Sequence, residues 1–86
     1  MGEYLIELYV SRGDRHAAEK RRSSACAAAA ALTRRGTRVQ YSRSILLASE
    51  ETCFLLFDAD TVDAVREMVQ LAELGCDHVS TVTGIA

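Results

Sequence analysis

Over residues 3–11 the chain alternates Tyr4, Ile6, Leu8 and Val10 against Glu3, Leu5, Glu7 and Tyr9, the two-residue period of a strand whose successive side chains point to opposite faces. Its second face is mixed, not simply polar. From Asp14 the period lengthens. Ala18, Ala25, Ala28, Ala29 and Leu32 fall on one stripe of a helix, while Glu19, Lys20, Arg21 and Arg22 lie mainly on the wet side. Asp14 suits the N-cap of this helix, and Gly36 suits the left-handed position just past its end. The small side chains of the stripe let the helix backbone approach a sheet closely.

Alternation returns in a second strand, with Val39, Tyr41, Arg43, Ile45 and Leu47 on one face and Gln40, Ser42 and Ser44 on the other. Ser49, Glu50 and Glu51 make a hairpin connection to a third strand. There Cys53, Leu55 and Phe57 share one face and Phe54 and Leu56 the other, so neither face is fit for water. Asp60 is placed to cap a second helix, in which Val62, Val65, Met68, Val69 and Ala72 keep the helical spacing until Gly75 ends it. Residues 77–83 close the chain as a polar strand.

The order β-α-β-β-α-β is the split βαβ plan, a four-stranded antiparallel sheet with both crossover helices on one face. A single ferredoxin-like α+β domain is expected over residues 1–86. Its first and third strands are central, and its second and fourth are edges carrying Gln40, Ser42, Arg43, Ser80 and Thr81. Two helices cover only one face of such a sheet. The other face of the central strands needs a cover from elsewhere, and a second copy of the chain is the simplest. Packing about a two-fold axis gives a homodimer closed around an apolar pocket for a small hydrophobic molecule.

Composition narrows the classes. Hydrophobic residues at 49% and charged residues at 26% are those of an ordinary globular domain, and no apolar run approaches the roughly 18–20 residues of a spanning helix. No membrane partner is expected. The net charge of −2 gives nucleic acid no general attraction, and Lys20, Arg21 and Arg22 read as a solvated helix face. Three cysteines without CxxC spacing suit a reducing compartment. Together with Glu3 where a signal peptide carries basic residues, they make a cytoplasmic location the expectation. No nucleotide-binding glycine motif, HExxH or GxSxG occurs, and no organic cofactor is expected.

Glu7 and Tyr9 project from the same face of a central strand, where the pocket would lie. A carboxylate half-enclosed by Leu5 and the apolar third strand is in the environment of a general acid or base, and equally of an ion pair with Arg43. Tyr41 and Arg43, read as sharing a face, offer a hydroxyl and a planar guanidinium to an anionic or enolate oxygen, or simply protect an edge. The expected catalytic set is therefore Glu7 as base with Tyr41, Arg43 or His78 as hydrogen-bond partners, and Leu5, Tyr9, Cys53, Leu55 and Phe57 lining the ligand pocket.

The stretches Ile6-Glu7-Leu8, Tyr41 to Ser44, Cys53 to Ala59, Asp63-Ala64-Val65-Arg66 and Gly75-Cys76-Asp77-His78-Val79 resemble a small ferredoxin-like nickel-binding family, otherwise catalogued as a domain of unknown function. The resemblance extends over nearly the whole chain. It implies the ferredoxin-like fold and a dimer, similar in general plan to the dimeric α+β barrel proteins, and it brings in nickel as an alternative to the organic ligand. Cys76 and His78 are spaced to face the same way on the last strand and His16 opens the first helix, which makes these three the candidate ligands. A two-fold interface would be needed to complete the set. A non-catalytic dimerisation module is the remaining expectation.

Overall fold

A computed structural model of the chain describes residues 2–75 and 78–82. Strand β1 (Gly2–Tyr9) leads through a 3-10 turn at Ser11–Gly13 into α1 (Arg15–Arg34). Strands β2 (Val39–Leu47) and β3 (Thr52–Ala59) form a hairpin across the turn Ala48–Glu50, and α2 (Val62–Leu71) returns the chain to β4 (His78–Val82). The sheet order is β2-β3-β1-β4 with every neighbouring pair antiparallel. This is the expected ferredoxin-like arrangement, with the two most apolar strands in the middle.

The core lies between the sheet and the helices. Ile6, Leu8 and Val10 of β1, and Cys53, Leu55, Phe57 and Ala59 of β3, pack beneath the stripe Ala18, Ala25, Ala28, Ala29 and Leu32 of α1. Ala64, Val65 and Met68 of α2 complete it. Val79 packs against its margin. The stripe read from the sequence is the buried stripe of the helix.

The helix ends explain where the elements begin and stop. The Asp14 carboxylate accepts the Ala17 N–H at 3.1 Å and caps α1. For α2 the cap is Thr61, not Asp60: its hydroxyl accepts the Ala64 N–H at 3.2 Å. Asp60 instead lies 3.8 Å from Arg38, whose guanidinium also bonds Asp58 at 3.3 Å and ties the start of β2 to the end of β3. Both helices leave through the same turn. Past α1, Gly36 takes φ 97° and the Thr37 N–H bonds back to Leu32 at 2.9 Å. Past α2 the equivalent residue is Glu73, at φ 54°, and the N–H of buried Leu74 bonds back to Val69 at 3.2 Å. Gly75 also has a positive φ, of 61°, but it stands beyond the turn that ends the helix.

This pair gives a prediction with opposite signs at matching positions. A Cβ at Gly36 would meet nothing within 4 Å, so Gly36→Ala isolates the backbone penalty and is expected to cost about 1 kcal/mol. Glu73→Gly is expected to stabilise by about 0.5 kcal/mol, because relief of the left-handed strain outweighs the added freedom of the unfolded chain. Urea denaturation of the two variants measures both.

The register of β2 departs from simple alternation. A β-bulge falls between Tyr41, which pairs with Phe57, and Arg43, which pairs with the next residue, Leu56. The extra residue, Ser42, reverses the faces beyond it. Val39, Tyr41, Ser44 and Leu46 therefore meet the helix side of the sheet, while Gln40, Arg43, Ile45 and Leu47 take the other side. The expected single face of Val39, Tyr41, Arg43, Ile45 and Leu47 is corrected accordingly.

Candidate functional site

The face turned away from the helices is built in rows across the strands. Leu5 of β1 pairs with Leu56 of β3, and Leu56 with Arg43 of β2. In the next row Glu7 pairs with Phe54 and Phe54 with Ile45; in the third, Tyr9 pairs with Thr52 and Thr52 with Leu47. On the other flank Ser80 pairs with Leu5 and His78 with Glu7. Glu7 is exposed on this face, as are Ile45 at 40% and Leu47 at 42%, whereas Leu56 is only 2% exposed although no helix covers it. The face thus carries an apolar patch of Leu5, Phe54, Leu56, Ile45 and Leu47 with the Glu7 carboxylate at its side and Arg43 a row away, bordered at the far end by the polar row Glu3, Asp58 and Gln40. Glu7 and Arg43 stand on strands separated by β3 and one row apart, about 12 Å from each other at the backbone.

The structure places the expected site residues on both sides of the sheet. Leu5, Glu7, Tyr9 and Arg43 share the open face. Cys53, Leu55 and Phe57 do not: they pair with Leu8, Ile6 and Tyr4 and sit in the helix-side core. The expectation that they share the face of Glu7 is corrected: the residues of β3 on that face are Phe54 and Leu56. Tyr41 is also on the helix side, its ring edge-on to Phe57 at 5.7 Å, so Tyr41 and Arg43 cannot act on one ligand. Tyr9 is 64% exposed, and its hydroxyl donates to Glu51 at 3.3 Å, toward the turn that follows β2. Burial pushes the Cys53 thiol above its ordinary pKa of 9.0, with Arg21 drawing it partly back. Its character is that of a neutral core residue.

The expected metal ligands are not assembled by the described residues. His16 is exposed in the first turn of α1, while Cys76 and the His78 side chain lie outside the described residues. Among the described residues no three His, Cys, Asp or Glu side chains stand close enough to hold a metal ion. No helix among the described residues is long and apolar enough to cross a membrane.

Sequence reading missed Phe54, Leu56, Ile45 and Leu47 as the apolar surface around Glu7. Only the pairing register distinguishes them, because β3 is apolar on both faces and β2 changes face at its bulge.

No family model matches the chain, and no curated protein matches it by sequence. In solved structures its fold is similar to that of SCO4226 from Streptomyces coelicolor A3(2), at a TM-score of 0.75 and 13% identity, covering 98% of this chain and 99% of that one. At that identity the likeness shows the fold alone. The ferredoxin-like fold implied by the resemblance is thus present, and the nickel-binding assignment gains nothing from these comparisons.

Proposed function

We propose that the protein is a homodimeric small-molecule enzyme in which two open sheet faces pack about a two-fold axis and enclose the ligand between them. The observation that carries this reading is the helix-free face, on which Leu5, Phe54, Leu56, Ile45 and Leu47 form an apolar patch with Glu7 at its side. An exposed apolar surface with a polar border favours association. The 37 × 32 Å outline of the molecule has room for the roughly 800 Å² per partner of a standard interface.

The substrate class is a hydrophobic, oxygenated compound with an acidic C–H next to a carbonyl. Glu7 accepts the proton from carbon. Arg43 donates hydrogen bonds to the oxygen on which negative charge grows, and Glu7 then returns the proton to the same or a neighbouring carbon. Tyr41 takes no part, since the sheet separates it from this face. His78, opposite Glu7 in the β1–β4 register, is the further hydrogen-bonding candidate.

The test uses benzoylacetone, whose acidic C–H exchanges with deuterium in D₂O and is followed by NMR. The protein is expected to accelerate exchange, and Glu7→Gln to remove at least about 90% of that acceleration, in line with the usual contribution of a positioned base. Equal acceleration by the two proteins would exclude Glu7 as the base, and exchange no faster than in buffer would leave a non-catalytic dimerisation module.

A further inference from the structure

The helix side of the sheet holds a second feature, which the open-face reading does not use. Between α1 and the edge strand β2 lies a cleft of about 270 Å³. Arg15, Glu19 and Arg22 of α1 form its rim, and Tyr41 and Ser44 form its wall. The floor is apolar: Ala18, Leu46 and Cys53.

Each part has a physical origin. Arg15 and Arg22 are two helical turns apart and so fall on one face of α1. With Glu19 between them, the rim carries one net positive charge. Among the described residues no ion pair within 4.0 Å neutralises either arginine, and the Arg22 guanidinium is held 5.9 Å from the centre of the Tyr41 ring. The wall exists because of the bulge. By turning Ser44 to the helix side, it brings the Ser44 hydroxyl within 2.6 Å of the Tyr41 hydroxyl. One hydroxyl hydrogen is used between them, and the other remains to donate to an acceptor in the cleft. A few converging polar groups above an apolar floor are the composition of a small-molecule site, and the volume is just below the roughly 300–1,000 Å³ usual for one.

We infer that this cleft binds a small monocarboxylic acid with a short apolar body. The carboxylate meets Arg22, Arg15 and the remaining hydroxyl hydrogen, and the hydrocarbon part lies against Leu46, Cys53 and Ala18. A cation is repelled by the two arginines. A multiply charged anion finds only one net charge and an apolar floor. The site belongs to one protomer and stands whether or not the open faces associate.

The test is a titration with hexanoate, followed by ¹H–¹⁵N correlation spectra, with hexanamide as the uncharged match. Hexanoate is expected to shift the amides of Arg22, Ser44, Leu46 and Cys53 saturably, and hexanamide to bind at least about tenfold more weakly, since the charge-assisted hydrogen bonds are lost. Arg22→Gln is expected to weaken hexanoate binding by a similar factor. Glu19→Gln is expected to tighten it about two- to fivefold, because the competing carboxylate is removed. The same spectra report whether each variant is folded. The inference is overturned by the absence of saturable shifts with hexanoate, by equal binding of hexanamide, or by Glu19→Gln and Arg22→Gln having the same effect.

Discussion

Phe57→Ala is expected to lower the free energy of unfolding by about 3–5 kcal/mol, a large share of the roughly 5–15 kcal/mol that a small domain has. Phe57 is fully buried at the centre of β3. Its backbone pairs with Tyr4 on one side and Tyr41 on the other, and its ring meets Tyr41 at an interplanar angle of 67°. Removing the ring loses both its transfer from water and its contacts, and the strand backbone, hydrogen-bonded on both sides, cannot collapse to fill the space. Urea denaturation measures the change. A loss below about 1 kcal/mol would mean that the ring is not in the core and would reverse the face assignment of β3.

Ile45→Arg and Leu47→Arg are expected to leave each protomer folded and to weaken the proposed dimer at least about a hundredfold. Both side chains are substantially exposed in the single chain and stand on an edge strand, where a charged residue is tolerated and even protective. Their effect on the fold alone is therefore within about 0.5 kcal/mol. In the dimer the same arginine would be placed against apolar neighbours without a partner, and the two-fold axis applies every substitution twice. Sedimentation velocity measures the association, and circular dichroism checks the fold. Unchanged association would move the interface off this face.

The fold was legible because its signals agree across levels. The alanine stripe of α1, the Asp14 cap, the Gly36 exit and the two apolar strands all point to one arrangement. The site was less legible, and for three local reasons. β3 is apolar on both sides, so its own pattern could not say whether Phe57 or Phe54 meets the helices, and that choice is made by pairing with Ile6 and Leu8. The bulge at Ser42 depends on a one-residue shift in pairing that alternation cannot reveal, and it separates Tyr41 from Arg43. Thr61 and Glu73 took the roles expected of Asp60 and Gly75. Thr61 is one residue nearer the helix, and the burial of Leu74 secures the turn at Glu73 despite its unfavourable φ.

The central claim is that a second copy of the chain covers the open sheet face. Sedimentation equilibrium of the untagged protein from about 1 to about 100 μM tests it most directly, because a dimer of ordinary affinity forms within that range. The account predicts a mass of twice the 9.4 kDa chain that reverts to the single-chain mass in Ile45→Arg. A single-chain mass for the unsubstituted protein at every concentration would contradict it.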